Sequence, residues 1–330
     1  MEVSQSIKVS VVIPTYKRPV LLLRCIDALL QQDFSRDLFE IIIVSDGPDE
    51  ITQREFNKVK SKTNLNVYYY ALPQKKGPAA ARNMGWRKAA GELIAFTDDD
   101  CMPGSKWLSV LYQTFVQKGL EEIAFSGRTI VPIPKVPTDY EKNISNLERA
   151  EFITANCACS KKALLKVGGL DEQFTMAWRE DSDLHFKLIL HGVPVITLKN
   201  AIVTHPVRKA PWGISLQEQR KGIFNALLFK KYPRLYRERI QPNPPLLYYF
   251  ILLCLLLFLI GASAPHYEIK IAGLCGWIGG TLWFTAKRLS STSRSFSHVM
   301  EMILTSLLIP YLSLYYRIYG ALKFKAPLIP

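Results

Sequence analysis

The sequence predicts an α/β domain built on a Rossmann-like parallel sheet, followed by a group of membrane helices. Three observations carry this reading. Short β-branched runs without polar alternation recur through the first 200 residues, with amphipathic stretches between them. Strands buried on both faces by crossover helices have this pattern. Polar residues gather just after those runs, and beyond residue 245 two long stretches carry no charge.

Val9–Ile13 is a β-branched run closed by Pro14 and reads as a buried strand. Pro19–Gln32 sets Leu22, Leu23, Ile26, Leu29 and Leu30 on one helical stripe. Ile41–Val44 is a second strand, stopped by Asp46-Gly47-Pro48. Val67–Ala71 and Leu93–Thr97 are the third and fourth, with a helix over 79–90 between them. Such sheets bind ligands at the carboxyl ends of their strands. Thr15, Tyr16 and Arg18 follow the first strand, Asp46 the second and Asp98–Asp100 the fourth. Beyond Gly127 the pattern loosens. Pro132, Pro134 and Pro137 mark an extended loop, and helices are expected at Ser160–Val167 and Asp181–His191. Tyr232–Pro245 reads as a linker.

Leu246–Ala264 is uncharged over 19 residues, a helical rise of about 28 Å against a bilayer core of about 30 Å. Ile271–Ala286 is also uncharged, and with Ile269 and Lys270 it nearly spans; its glycines Gly273, Gly276, Gly279 and Gly280 allow close helix contact. Two buried helices of a soluble domain are the alternative. Val299–Leu322 differs, because it holds Glu301, Pro310 and Arg317, with Tyr311, Tyr315, Tyr316 and Tyr319 on its C-terminal half. That distribution suits a helix lying in the interface better than one crossing it.

The charge is divided unevenly. Residues 199–330 hold 17 Lys/Arg against 4 Asp/Glu, whereas residues 1–198 hold 25 against 24. The basic clusters flank the apolar runs, and no zinc-finger spacing or RNA-binding signature occurs, so the partner is membrane lipid and not nucleic acid. The six cysteines form no CxxC pair, and a reduced, cytosol-facing domain is expected. Met1–Lys8 is polar and lacks an apolar core, so no cleaved leader is expected.

Asp98-Asp99-Asp100 ends a strand and precedes Cys101-Met102-Pro103. Three adjacent carboxylates repel one another unless a cation neutralises them. Oxygen ligands on a loop suit Mg²⁺ or Mn²⁺, which bridge to substrate phosphates. The simpler alternative is a solvated turn in which Asp100 caps the following helix.

Five segments now stand in order: Val11-Val12-Ile13-Pro14-Thr15-Tyr16-Lys17-Arg18, Ser45-Asp46-Gly47, Gly77-Pro78-Ala79-Ala80-Ala81-Arg82-Asn83-Met84-Gly85, Phe96-Thr97-Asp98-Asp99-Asp100, and Gly168-Gly169-Leu170-Asp171-Glu172 with Glu180-Asp181. Together, over roughly residues 8–206, they resemble the family 2 glycosyltransferases. The resemblance implies the GT-A fold, a nucleotide-sugar donor and a divalent metal, Mn²⁺ or Mg²⁺. It implies a donor pocket lined by Pro14, Thr15, Tyr16, Arg18, Asp46, Gly77, Arg82, Asp98 and Asp99, with Arg82 facing the diphosphate. Asp98 and Asp100 match the outer aspartates of the family's DxD motif, and His205 matches a histidine that reaches the metal. Glu180-Asp181 matches the catalytic position, where Asp181 would be the base of an inverting transfer; Asp183 competes for that role.

The pattern also departs from part of the family. Processive synthases carry Gln-x-x-Arg-Trp near the membrane, but here Lys221 follows Gln217-Glu218-Gln219-Arg220. A single-addition transferase is therefore expected over a processive polysaccharide synthase. A sugar nucleotidyltransferase would carry a glycine-rich phosphate loop after the first strand, where Pro14-Thr15-Tyr16 stands. A non-catalytic membrane scaffold would not need the acidic residues. The expected partition is a GT-A domain over 1–230, a linker over 231–245 and a membrane region over 246–330. Within that region 246–264 and 269–286 would span and 299–322 would lie in the interface. The acceptor is expected to be lipid-linked or a glycan, and the chain a multi-pass protein of the cell's inner membrane.

Overall fold

The computed structural model describes residues 6–61, 66–263 and 266–328. Most of the polar stretch Met1–Lys8, and residues 264 and 265 next to the expected first span, lie outside these residues. The chain divides into two compact units, residues 1–132 with 145–207, and residues 133–144 with 208–330.

In the first unit the strands are β1 (Val9–Thr15), β2 (Phe39–Ser45), β3 (Asn66–Ala71), β4 (Leu93–Thr97), β5 (Met102–Pro103), β6 (Ala124–Ile130), β7 (Asn156–Ser160) and β8 (Val195–Thr204). They form one sheet of order β3-β2-β1-β4-β7-β6-β8-β5. The first four pair with one another in parallel, as their continuous apolar runs predict. β7 runs antiparallel to both β4 and β6. The sheet is therefore mixed, and strand direction reverses beside β4, the strand that ends in the aspartates.

Helices α1 (Pro19–Leu30), α2 (Glu50–Lys60), α3 (Pro78–Lys88), α4 (Trp107–Lys118), α6 (Lys161–Val167) and α7 (Glu180–Leu190) cover the sheet; α5 (Asp139–Ile144) belongs to the second unit. One apolar cluster packs Leu22, Ile26, Trp107 and Leu108 on one set of strand side chains. The other packs Ala79, Trp86, Leu164 and Leu184 on the opposite set. Alternate residues of a strand point to opposite faces, so both clusters draw on the same strands. α3 approaches β1 so closely that a Cβ on Gly85 would strike Val12. That approach brings Arg82 to the carboxyl end of the strands.

Asn156 braces the antiparallel insertion. It is fully buried; its Oδ1 accepts from Trp107 Nε1 (2.9 Å), and its Nδ2 donates to the Arg128 and Ala201 carbonyls (3.0 and 3.1 Å). One side chain thus ties β7 to α4, β6 and β8.

The second unit comprises α5 and α8 (Ile214–Glu218), α9 (Ile223–Lys231), α10 (Pro233–Arg239), α11 (Leu246–Ser263), α12 (Tyr267–Leu289) and α13 (Phe296–Phe324). The segment expected as a linker holds α10, which opens with proline at its first position and carries an Arg234–Glu238 pair one turn apart. α11 and α12 form a hairpin. Gly273, Gly276 and Gly280 face α11, and a Cβ on any of them would strike it, whereas Gly279 faces open space. Leu253, Leu256, Leu259 and Trp283 point outward and are exposed. Among the described residues, α11 and α13 are long and apolar enough to cross a membrane. α12, the expected second span, carries Glu268, Lys270, Lys287 and Arg288 near its ends and four glycines within, which lowers its hydropathy.

The two ends of α13 meet different parts of the segment that precedes α11. Near its start, Glu301 accepts from the Gly213 amide (2.7 Å) and the Ser297 carbonyl accepts from Trp212 Nε1 (3.4 Å). Near its end, Arg317 donates to Gln241 (2.8 Å), the Phe324 carbonyl accepts from Lys230 (2.7 Å), and Gly320 lies against the Ile223 backbone.

Asn156→Ala removes the brace and orphans a buried indole N–H and two carbonyls. Each unsatisfied group costs about 1–3 kcal/mol, so a loss on the order of 2–4 kcal/mol is expected once partial relaxation is allowed. It would be read as a lower thermal midpoint of the purified full-length chain. An unchanged midpoint would show that the brace contributes nothing.

Candidate active site

The three aspartates after β4 point in three directions. Asp98 Oδ1 accepts from Arg82 Nη2 at 2.5 Å. Asp99 turns toward β1, where Oδ2 accepts from Thr15 Oγ1 (2.8 Å) and Oδ1 from Arg18 Nη1 (3.3 Å). Asp100 Oδ1 lies 3.7 Å from His205 Nε2. Asp98 and Asp99 thus each have a guanidinium partner, which offsets part of the repulsion that adjacency would impose. Burial pushes the Asp99 carboxyl up to about 6, against the pull of Arg18.

Ligand atoms of Asp98, Asp100, Cys101 and His205 lie within 4.8 Å of one another. His205 Nδ1 is buried without a hydrogen-bond partner among the described residues. Burial, reinforced by the aspartates, raises the Cys101 thiol well above its ordinary value, and Cys101 belongs to the apolar core. Two carboxylates and an imidazole that still has a free nitrogen make an oxygen-rich set, which fits a hard divalent cation such as Mn²⁺ or Mg²⁺.

Arg82 is 2% exposed. Besides Asp98, it reaches Glu180 Oε1 from Nη1 at 3.4 Å, and its Nε has no partner among the described residues. The guanidinium expected to face a diphosphate therefore lies within the wall, joining the strand-end cluster to the start of α7. A sequence carries no trace of a pair 98 residues apart.

Glu180 is enclosed, and burial together with the charge of Asp181 pushes its carboxyl up to about 8, against Arg82. Burial also raises Asp181, opposed chiefly by the hydrogen bond from the Ser182 amide (2.6 Å). Asp181 is half-buried. Asp183, its rival, is fully enclosed and lies 3.4 Å from Lys187 one turn on. Of the two, Asp181 is the more exposed. The residue before the pair, Arg179, has φ of 74° and stacks on the partly exposed Trp178 at 4.6 Å. Left-handed backbone at a non-glycine residue is uncommon and concentrates at functional sites. An aromatic–basic pair just upstream of two acids was the available signal, and the sequence reading passed over it.

The donor-side residues cluster at the ends of β1 and β2. Pro14 and Thr15 are the last residues of β1, and Asp46 Oδ1 accepts from the Lys76 and Gly77 amides (both 2.7 Å). Asp46 therefore clamps the loop that leads into α3. Gly77 has φ of 101°, and a Cβ there would lie 2.5 Å from the Thr175 carbonyl oxygen, so no other residue fits. Lys17 and Lys75 sit over the Tyr16 ring at 5.3 and 4.7 Å. Sequence reasoning overlooked both lysines, although Lys75-Lys76 directly precedes Gly77. Two ammonium groups flanking an aromatic ring can hold a base and its phosphates together.

Residues 10–167 match the family described as Glycosyl transferase family 2. Glycosyltransferase AglE of Haloferax volcanii is 25% identical over 220 residues, covering 64% of this chain and 70% of that one. GalNAc(5)-diNAcBac-PP-undecaprenol beta-1,3-glucosyltransferase of Campylobacter jejuni is 34% identical over 179 residues, covering 51% of this chain and 56% of that one. The chain spans about half the length of several curated relatives it matches. In fold it is similar to the mannosyltransferase PcManGT of Pyrobaculum calidifontis in complex with GDP-Man and Mn²⁺, with TM-score 0.53 and 17% identity over 96% of this chain and 87% of that one. S. aureus TarS 1-349 in complex with UDP-GlcNAc also has TM-score 0.53, with 16% identity over 95% of this chain and 92% of that one.

Glu180 supplies a pH test. Its folded carboxyl, near 8, lies above its ordinary value of 4.5, so between those values the folded chain binds the extra proton. The stability that Glu180 contributes is full below about 4.5 and falls as pH rises toward about 8. Glu180→Gln stays neutral and should escape that decline. Thermal midpoints of both proteins in chelator should diverge, in the variant's favour, from pH 5 to pH 8. A gap independent of pH would mean that Glu180 is ionised in the fold throughout.

Proposed function

We propose that this chain, whose residues 10–167 match Glycosyl transferase family 2, moves a single sugar with inversion from a nucleotide-sugar donor onto a lipid-linked or glycan acceptor at a membrane. UDP is the donor nucleotide in this reading. The observation that carries it is the chain Asp98–Arg82–Glu180, whose buried Arg82 ties the metal-type cluster to the start of α7, where the half-buried Asp181 follows Glu180.

The acceptor hydroxyl attacks the anomeric carbon, its proton passes to Asp181, and the bond from that carbon to the diphosphate oxygen breaks, with the electron pair leaving on the nucleotide diphosphate. A divalent cation held by Asp98, Asp100 and His205 would neutralise the charge that develops there. Burial raises the Asp181 carboxyl, which strengthens it as a base. Thr15 and Arg18, held by Asp99, and Tyr16 between two lysines line the donor side. Arg82 acts through Asp98 and Glu180 as a positioning residue.

Asp181→Asn should still bind nucleotide and lose roughly 10²–10⁴ in turnover. Chelation should abolish wild-type transfer, and Mn²⁺ or Mg²⁺ should restore it. The readout is release of nucleotide diphosphate from a panel of nucleotide sugars, with mass spectrometry of a lipid extract to identify the product. Wild-type turnover by Asp181→Asn would remove the base from this scheme.

The membrane part of the proposal is a hairpin of α11 and α12, with the catalytic unit and both chain ends cytosolic. The basic clusters Lys230–Arg239 and Lys287–Arg294 then lie on one side, in keeping with the positive-inside rule. α13 is apolar enough to cross, but both its ends bond to residues 212–241, which precede the first span. Those bonds support an interfacial helix. A topology reporter fused after Ser295 and another after Pro330 should both read cytosolic. An exported signal from the second alone would make α13 a span.

A further inference from the structure

Arg179 stands where three local preferences favour another residue. Its φ of 74° is a conformation that glycine or asparagine adopts with less strain. Elsewhere the chain mostly follows that preference: among the described residues seven glycines are left-handed, against four other residues. Arg179 is also the N-cap of α7, yet its side chain makes no cap hydrogen bond; serine, threonine, aspartate or asparagine would supply one. A cation at a helix N-terminus lies, finally, at the unfavourable end of the macrodipole. Local rules broken together at one position mark a residue held there for function and not for folding.

The backbone at this point is fixed, because the Arg179 carbonyl accepts from the Asp183 amide of α7 (2.9 Å). The guanidinium lies 4.6 Å from the centre of the Trp178 ring, and Trp178 is 36% exposed. A cation over an indole is steadied and keeps its full charge. That charge bears on Asp181. Burial raises the Asp181 carboxyl; the Ser182 amide opposes the rise most, and Arg179 comes next, ahead of Arg82. Other titratable groups near Asp181 have other duties. Glu180 precedes it and is itself a carboxyl, Arg82 from α3 is shared between Asp98 and Glu180, and burial keeps the Cys157 thiol of β7 well above its ordinary value.

We propose that Arg179 is a positioning residue for the transfer, its guanidinium braced on Trp178 as the counter-charge of the Asp181 carboxylate. The inference rests on the transfer reading above, in which Asp181 takes the acceptor's proton. That step needs an ionised base, and two neighbouring carboxyls resist ionising together unless a cation is near.

The test is the pH dependence of nucleotide diphosphate release by the full-length chain, from the panel of nucleotide sugars with saturating Mg²⁺. Arg179→Gln removes the charge and keeps the backbone strain; Arg179→Gly removes both. Each should move the acid limb of kcat/KM to higher pH, with a loss of roughly tenfold at pH 6 that recovers toward pH 8.5. Arg179→Lys keeps the charge and should leave the limb near its wild-type position. Trp178→Ala should shift it in the direction of the neutral variants, by less. A merely structural residue would give a loss equal at every pH, present in Gln and relieved in Gly. That pattern, or an acid limb unmoved in both neutral variants, would overturn the proposal. Asp181→Asn is run beside them. If it turns over like wild type, or wild type releases nothing from any donor, the transfer reading falls, and this inference with it.

Discussion

The candidate site depends on one guanidinium. Arg82 is carried to the strand ends by a helix whose small residues let it lie directly on β1, and there it meets Asp98 from β4 and Glu180 from α7. Without that cation, several carboxylates would share a poorly hydrated space, and their repulsion would have to be relieved by protonation or by opening the loops. With it, the strand-end cluster and the start of α7 hold a common geometry. The cost is borne locally: burial disfavours the ionised forms of Glu180 and Asp181, and Arg179 takes up left-handed backbone to place them. Strain and raised carboxyls in one short stretch are what a site that handles protons requires.

The legible parts of the fold are those whose signal is local. β1 to β4 announce themselves because a strand buried on both faces must be continuously apolar. The aspartates were legible because charge at the end of such a strand has no role in packing. β7 gave little warning: Asn156-Cys157-Ala158-Cys159-Ser160 has no β-branched residue, and its strand conformation comes from two neighbours with which it pairs antiparallel. Its two cysteines do share a face, as their spacing required, and both lie in one apolar cluster. α10 lies in a segment whose four prolines suggest a linker, although Pro233, at a first helical position, favours the helix.

The same distinction runs through the site. Residue types at strand ends could be named in advance; their pairings could not. Arg82 is on the helix where the sequence puts it, but its pairing with Glu180, 98 positions away, leaves no local signal. The choice between Asp181 and Asp183 turns on helix rotation: two positions along α7 carry one carboxylate into the core, near Lys187, and leave the other half-buried.

α13 has a mechanical consequence. A helix of 29 residues is about 43 Å long, and this one is fastened near both ends to the same preceding segment of its own unit. A spanning hairpin answers a thicker or thinner bilayer by tilting. In the proposed topology α13 is clamped at two points and is also bonded to α12, since Arg288 donates to Thr305 and Ser306 and Trp277 to Tyr311. A change in lipid chain length that tilted the hairpin would therefore load those cross-helix bonds.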